Sequence, residues 1–440
     1  MIDVLVAAIL GNLLGIAAGL LPGVGVSTIV LSMYIILLSF DITQILIFYF
    51  CLLSSAQYFG SIPAIFLGLA GEASSYPAVI EGHTLAKRGQ GLTAIFQTGI
   101  GSLVGSLVGL SVLLIAGQLL GTQLAMSTGT MLLVLLTIGI AVCATSNNKW
   151  WVDLLLVIVA ILFSHIGLDV NGTVPYVNFG FAWLADGISY IALASAMISA
   201  KEVMFVKLII DPTINTVQTK LINPVTELLK LKWSIVRGSL VGSLGGLVPG
   251  ITTIASSHYA YVLEKILLKD YEKGSKPALV SSETANNAGA ITSLLPLLVI
   301  GIPITFSEAI IFSILDSKNW TFSSSLPLKL FLEQWYIFIS VNILSLILAV
   351  KGAPYLIRFF PKTKTSLSIF VFVVLITVVY YSGELTYGSG IFDVVVFLLA
   401  ILVVAVTPSV NYLPFIFWVV IGHNLIETFY RYIQLMGWYQ

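Results

Sequence analysis

Charge is what this sequence most lacks. Only 9% of its 440 residues are charged, whereas 58% are hydrophobic, and the mean hydropathy is +1.03. Soluble domains carry about 25% charged residues, so this chain cannot cover a water-facing surface. Apolar runs of about 20 residues recur, each long enough to cross a bilayer as a helix. The alternation of polar and apolar residues typical of membrane β-strands is absent. We therefore predict an all-α, polytopic integral membrane protein of the lipid bilayer.

Cysteine, histidine and net charge are also scarce. Cys51 and Cys143 both lie in apolar runs, which favours buried small side chains over a disulfide or a metal pair. The four histidines have no metal-ligand spacing. No Walker-type phosphate loop and no catalytic Ser/His or paired-aspartate motif is visible, so no cofactor is expected and an intramembrane enzyme is the least favoured class. The zero net charge suggests no nucleic-acid partner, and the N-terminus lacks the basic region of a cleaved signal peptide.

Glycine, by contrast, is abundant and regularly spaced. The stretch GNLLGIAAGLLPG, which begins at Gly11, returns as GSLVGSLGGLVPG, which begins at Gly238. All three spaced glycines and the Pro-Gly that ends each stretch are shifted by the same 227 positions (238 − 11). We interpret the chain as a duplicated unit, because one constant shift at five positions is improbable by chance. The predicted domains are a first transmembrane repeat (1–205), a cytoplasmic linker (206–235) and a second transmembrane repeat (236–440).

Each half reads as a Gly/Pro-broken segment, one span, a short piece of re-entrant length and four further spans. The short pieces are predicted at 61–71 and 303–317. Five crossings per half would invert the second half relative to the first. With the N-terminus outside, 17 of the 20 lysines and arginines fall in cytoplasmic loops, as the positive-inside rule requires. The predicted fold is therefore two inverted-topology repeats with broken and re-entrant helices, of elevator-like type, in a bacterial-type inner membrane.

The helix breaks point to transport. In lipid, a backbone group without a partner costs several kcal/mol, so a broken helix needs protein or a water-filled cavity around it. Paired Gly/Pro breaks in two inverted halves are the sequence pattern of a transporter binding site. The spaced glycines would let the broken element approach its neighbour closely, although a single such motif is more often ordinary helix packing. The predicted helix-break residues are Pro22, Gly23, Pro63, Pro249, Gly250 and Pro303.

Polar residues cluster next to these breaks in both halves. Hydroxyls, amides and free helix N-termini suit an anionic substrate, whereas amide oxygens suit Na⁺ and intramembrane carboxylates suit a carried proton. The predicted substrate-binding residues are Ser61, Gly71, Ala73, Ser74, Ser75, Asn286, Asn287, Thr305 and Ser307. The candidates for ion coupling are Glu72, Glu283, Glu308 and the same two asparagines, with no metal site beyond one for Na⁺.

These motifs resemble a known family, the large membrane subunit of tripartite tricarboxylate transporters (TctA-type permeases). The resemblance rests on Tyr58–Pro63, on the GEASS stretch at 71–75, on SETANNA at 282–288, on FGFAWLADGIS at 179–189 and on Asp393 to Arg431 near the C-terminus. It implies a carboxylate importer driven by a Na⁺ or H⁺ gradient. It also implies two partners, a small four-helix membrane subunit and a periplasmic solute-binding protein. A homo-oligomer is left open.

The chain departs from the family pattern at the predicted site. Before GEASS the family has Asn-Ile-Pro where this chain has Gly68-Leu69-Ala70, so the asparagine and the proline are missing. Ile304 and Phe306 follow Pro303 where the family has small residues. A substrate other than citrate therefore stays open. The alternative functions are an ion or solute channel and a membrane scaffold subunit that does not transport.

Overall fold

The fold consists of helices and their connections. The computed structural model describes residues 2–21, 25–68, 73–121, 128–144, 146, 148–167, 184, 187–201, 204, 224–247, 253–270, 272–301, 303, 305–318, 320, 326–356, 364–387, 389–419, 422, 425–426 and 429. Within these ranges there is no β-strand, and the predicted all-α class is confirmed. A 3₁₀ turn covers Ala73–Ser75, and π-helical turns cover Ala78–Gly82 and Ser195–Ala200.

The α-helices of the first half are α1 (Ile2–Leu20), α2 (Val26–Ser32), α3 (Tyr34–Ser39), α4 (Ile42–Leu67), α5 (His83–Lys87), α6 (Gly91–Gly121), α7 (Thr128–Ala144), α8 (Trp150–Ser164) and α9 (Tyr190–Ala194). Those of the second half are α10 (Pro224–Lys230), α11 (Lys232–Leu247), α12 (Thr253–Leu268), α13 (Lys276–Thr292), α14 (Leu294–Ile300), α15 (Phe306–Ser317), α16 (Leu326–Leu356), α17 (Lys364–Tyr387) and α18 (Gly390–Val406).

Several of these helices can cross a membrane. Four apolar stretches have the necessary length and composition: α1, α4, most of α6 and the second part of α16. Three shorter apolar stretches lie in α8, α17 and α18. A helix rises about 1.5 Å per residue, so about 20 residues match the hydrocarbon thickness. The prediction of a polytopic membrane protein is confirmed.

Helix α4 corrects one predicted break. It continues through Pro63 to Leu67, so the short piece predicted at 61–71 does not begin at a break. A proline inside a helix removes one backbone hydrogen bond. Every residue from 45 to 66 is buried, however, and the helix stays continuous across Pro63. The helix ends instead at Gly68, whose left-handed backbone (φ 68°) suits glycine.

The other predicted breaks lie where helices end. Helix α1 ends at Leu20 and α2 begins at Val26, while α11 ends at Leu247 and α12 begins at Thr253. Pro22, Gly23, Pro249 and Gly250 themselves lie outside the described residues. Pro303 lies between the end of α14 and the start of α15. Most of the predicted linker, residues 205–223, is also outside the described part of the chain.

The glycine motifs bring helices into backbone contact. A Cβ added at Gly11, Gly15 or Gly19 of α1 would lie within 3.0 Å of a backbone oxygen of α4, those of Phe48, Leu52 and Ala56 respectively. In the second half, Gly238, Gly242 and Gly246 of α11 meet the backbone oxygens of Ser281, Ala285 and Gly289 in α13. The residue numbers rise together in both pairs, so each pair of helices is parallel.

The helices that receive the glycine motifs correspond to each other. Ser281, Ala285 and Gly289 each follow their counterparts in α4 by 233 positions (281 − 48). The same shift relates Pro63 to Pro296 and Gly68 to Gly301, and Gly301 ends α14 with nearly the same left-handed backbone (φ 71°). The shift exceeds that of the glycine motifs by six residues (233 − 227), which lie between Gly246 and Ser281.

Candidate functional site

Helices α4 and α13 lie side by side at the centre of the polar contacts. Asn286 Nδ2 donates to Gln57 Oε1, and Ser61 Oγ donates to Glu283 Oε2. The numbers rise along one helix while they fall along the other, so α4 and α13 are antiparallel. Because each glycine-packed pair is parallel within itself, the pair α1–α4 runs opposite to the pair α11–α13.

Both central helices are shielded from water and lipid. Every residue of α13 from 278 to 292 is buried, as is α4 from 45 to 66. Helix α13 is covered on a further side by α6, whose Gly101, Gly105 and Gly109 face its Thr284 and Ala288. Buried polar groups need hydrogen-bond partners, so the polar contacts between these helices fix their register.

A first-half segment joins the contact between Gln57 and Asn286. The 3₁₀ turn at Ala73–Ser75 places Ser74 next to α4, where its Oγ donates to Gln57 Oε1 (3.4 Å). Ser257 of α12 donates to the backbone oxygen of Ser74 (2.8 Å). The structure thus brings together the predicted residues Ser61, Ala73, Ser74, Ser75, Glu283 and Asn286 around α4 and α13. Gly71 and Glu72 lie outside the described residues.

Gln57, Ser256 and Ser257 belong to this cluster but were not predicted. Gln57 lies one helical turn before Ser61 on α4, a spacing that places two polar side chains on one face. That spacing was the available signal. Nothing in the local sequence of α12 indicates that Ser256 packs against Gly289 of α13 or that Ser257 contacts Ser74. Both contacts depend on how α12 folds back against α13.

Asn287 faces a different neighbour from Asn286. Its Nδ2 donates to Ser102 Oγ of α6 (2.7 Å) and to the backbone oxygen of Glu283 (3.2 Å), and its Oδ1 accepts from Ser106 Oγ (3.3 Å). Consecutive residues point about 100° apart on a helix, which explains the separation. Asn287 therefore ties α6 to α13 with both ends of its amide.

A corresponding tie joins α16 to α4. Ser54 Oγ donates to Asn342 Oδ1 (2.7 Å), and Tyr58 OH donates to the same oxygen (3.3 Å). Ser54 precedes Asn287 by 233 positions, the shift that relates α4 to α13. In the second half the central helix α13 supplies the amide (Asn287) and its neighbour α6 supplies the hydroxyl (Ser102). In the first half the central helix α4 supplies the hydroxyl (Ser54) and its neighbour α16 supplies the amide (Asn342). The cross-helix hydrogen bond is kept while its two residue types are reversed.

The remaining predicted residues form a separate group near the start of α15. Thr305 and Glu308 make a capping box, in which each side chain accepts from the other residue's backbone N–H (3.2 and 3.1 Å). Ser293 donates to the other carboxylate oxygen of Glu308 (3.3 Å), and Ser307 accepts from Tyr49 OH (2.8 Å). Tyr49 lies about 12 Å from Gln57 along α4, at about 1.5 Å per residue. The structure does not bring this group to Asn286.

The fold and the buried polar contacts define a polytopic membrane protein whose glycine-packed helix pairs run in opposite directions. The family model described as "Tripartite tricarboxylate transporter TctA family" matches residues 5–417. The chain belongs to this family, whose description names a tripartite transporter. The resemblance drawn from the sequence motifs is confirmed.

Two relatives come from Agrobacterium vitis. The chain is 28% identical over 301 residues to an "Uncharacterized 52.8 kDa protein in TAR-I ttuC' 3'region", over 67% of this chain and 60% of the relative. It is 42% identical over 65 residues to an "Uncharacterized protein in TAR-II ttuC' 3'region", over 14% of this chain and 27% of the relative. The matched part of the chain thus spans less than two thirds of each relative. No solved structure is a significant match.

Proposed function

We propose that the chain is the large membrane subunit of a secondary active transporter that imports a small organic anion, of di- or tricarboxylate type, driven by a Na⁺ or H⁺ gradient. The observation that supports it best is the buried polar cluster at the antiparallel crossing of α4 and α13. Polar groups at membrane depth are costly unless they serve packing or a ligand. Here they lie between two corresponding helices, the place where repeat-built transporters bind their solutes.

Hydroxyls, amides and the carboxylate of Glu283 supply the polar contacts of the described cluster. A carboxylate substrate would accept hydrogen bonds from Ser61, Ser74 and the serines of α12, whose hydroxyls can turn to donate. Glu283 lies one turn before Asn287 in the same helix and is the described carboxylate best placed to carry a coupling proton. Glu308 is the weaker candidate, because both its oxygens already accept hydrogen bonds at the start of α15.

The proposed architecture is an inverted repeat with an elevator-like movement. The opposite directions of the pairs α1–α4 and α11–α13 support the inversion, and the shared left-handed helix ends at Gly68 and Gly301 extend the correspondence. We further propose a bacterial inner membrane location, with a small four-helix subunit and a periplasmic solute-binding protein as partners. The family's tripartite description supports the existence of partners.

Uptake should require an imposed cation gradient. Proteoliposomes that contain the chain with its partner subunits should accumulate radiolabelled citrate or succinate above the external concentration only when a Na⁺ or H⁺ gradient is present.

Ser74→Ala, compared with the wild type at equal expression, should raise the half-saturating substrate concentration several-fold, because it removes a hydroxyl from the cluster.

The exposed serine Ser111, on the outer face of α6, provides the matched control, and Ser111→Ala should leave uptake unchanged. A channel would equilibrate the solute without accumulating it, and a scaffold would give no flux. Either result would exclude the proposed function.

The inverted topology predicts where the chain can be labelled. Single cysteines at Lys220 and Lys273, in a chain whose Cys51 and Cys143 are replaced, should resist an impermeant thiol reagent on intact cells. Both should react after the membrane is opened. A cysteine at Lys329, predicted to be outside, should react in both conditions. Labelling of position 220 or 273 on intact cells would contradict the inverted arrangement.

A further inference from the structure

Asn286 carries one amide atom without a partner. The residue is 0% exposed, and its Nδ2 is taken by Gln57 Oε1. Its Oδ1 has no hydrogen bond. Gln57 Oε1 faces both Asn286 Nδ2 and Ser74 Oγ. A donor of Asn286 must face that oxygen, and its own oxygen must face away.

Two hydroxyls on the segments that pack against α13 near Asn286 also lack a hydrogen bond. Ser75 and Ser256 are both 0% exposed, and neither hydroxyl has a hydrogen bond. Ser75 follows Ser74, which contacts Gln57 directly. Ser256 lies against α13 at Gly289, where an added Cβ would be 3.4 Å from Ser256 Oγ. Gly289 is three residues after Asn286 and therefore lies on the same face of α13.

These three unpartnered oxygens specify the chemistry of what they would bind. Buried polar atoms without partners are uncommon in folded proteins, and a bound ion or water is one explanation for them. Other buried hydroxyls here also have no hydrogen bond, among them those of Ser239, Ser243 and Ser281, but the three considered lie on segments that pack together around Gln57 and Gly289. An amide oxygen cannot donate a hydrogen bond, so Asn286 Oδ1 repels an anion's oxygens and attracts a cation. Neutral hydroxyl and carbonyl oxygens are ligands for a hard cation. The three oxygens bring no negative charge of their own, which suits a monovalent ion.

We propose that Asn286 Oδ1, Ser75 Oγ and Ser256 Oγ form a binding site for Na⁺, between α13, α12 and the 3₁₀ turn at Ala73–Ser75. Asn287, whose amide is fully used by α6, is a structural tie and not a ligand. The role of this site in transport rests on the proposed function, whereas Na⁺ binding itself does not. The site would couple the two halves, because Ser75 comes from the first half and the other two residues from the second.

Thermal unfolding of the purified full chain, without substrate, tests the site. A ligand that binds only the folded state stabilises it by RT ln(1 + [L]/Kd), so the unfolding temperature starts to rise near Kd and the dependence on Na⁺ concentration gives Kd, the half-saturating concentration. The midpoint should rise in NaCl relative to KCl and choline chloride at equal ionic strength. Ser256→Ala and Asn286→Ala should each raise the half-saturating Na⁺ concentration at least tenfold. Asn287→Ala should lower the midpoint in all three salts while keeping the difference between Na⁺ and K⁺.

The proposal is overturned if Na⁺ gives no specific shift, or if the shift keeps its concentration dependence in Ser256→Ala and Ser75→Ala. These two variants decide the matter even if Asn286→Ala fails to fold, because each removes one hydroxyl and adds no bulk. A Na⁺ shift with the expected variant effects supports the site whatever transport shows. Should uptake then prove independent of a Na⁺ gradient, the site stands and the proposed Na⁺ coupling fails.

Discussion

Gly242→Ala is expected to destabilise the protein by about 1–3 kcal/mol or more, the usual cost of forcing extra volume into packed helices. The new Cβ would lie within 3.0 Å of the backbone oxygen and Cα of Ala285. Backbone atoms cannot rotate away as a side-chain tip can, so α11 and α13 must separate. Gly15→Ala should behave alike, because its Cβ would meet the backbone oxygen of Leu52 at 2.5 Å.

Gly352→Ala is the matched control. This glycine also lies in a long helix, α16, but the nearest atom to its added Cβ is the flexible tip of Leu356 at 3.2 Å. Alanine is favoured over glycine inside helices by about 1 kcal/mol, so this variant should be neutral or slightly more stable. Unfolding in detergent at increasing denaturant measures all three variants. Equal stability of Gly242→Ala and Gly352→Ala would show that the close approach of α11 and α13 contributes nothing.

Glu81→Ala is expected to cost about 3–5 kcal/mol of stability, the range for removing one member of a buried ion pair. Glu81 is 0% exposed, and its Oε1 lies 2.9 Å from Lys265 Nζ and accepts from Tyr261 OH (2.8 Å). Its Oε2 accepts the backbone N–H groups of Gly274 and Ser275 at the start of α13 (2.6 and 2.8 Å). The alanine variant leaves all these donors facing an apolar side chain.

Two further variants separate the charge from the hydrogen bonds. Glu81→Gln keeps one acceptor but removes the charge that Lys265 needs, so it should fall between the wild type and Glu81→Ala. The double variant Glu81→Leu with Lys265→Met removes both charges and should recover part of the loss. A double variant as unstable as Glu81→Ala would show that the backbone bonds to α13, and not the ion pair, carry the stability.

The repeat could be predicted from the sequence because its signal is local. Three glycines at helical spacing and a terminal Pro-Gly are present in both halves, so the two stretches can be aligned directly from the sequence. The six additional residues before α13 cannot be recognised that way, so the short pieces predicted at 61–71 and 303–317 do not correspond under the observed shift of 233 positions. The structure pairs Pro63 with Pro296, because both precede a left-handed glycine by five residues. Helix burial, which only the folded chain shows, keeps α4 continuous across its proline.

The site was predictable to the extent that its residues lie in short polar motifs. Ser61, Ser74 and Asn286 stand out against apolar surroundings, and the structure brings them together. Asn286 and Asn287 look alike in the sequence, yet one amide is fully used by α6 and the other is not. Gln57 could have been found from its position one helical turn before Ser61, whereas Ser256 and the partners of Asn287 could not be predicted, since each depends on contacts between segments that are far apart in the chain.

The two ends of the central helix pair are fastened differently. At the end where α13 begins, Glu81 binds Lys265 and Arg88 donates to the backbone oxygen of Lys273 (3.0 Å). At the end where α4 begins, Lys318 donates to the backbone oxygen of Leu38 (2.8 Å). The position that corresponds to Glu81 there, 233 residues on, is the fully buried Ile314. Opening the first end hydrates two charges, whereas opening the second exposes hydrocarbon and raises the heat capacity. If transport opens each end in turn, as the proposed function requires, the balance between the two open forms should therefore shift with temperature.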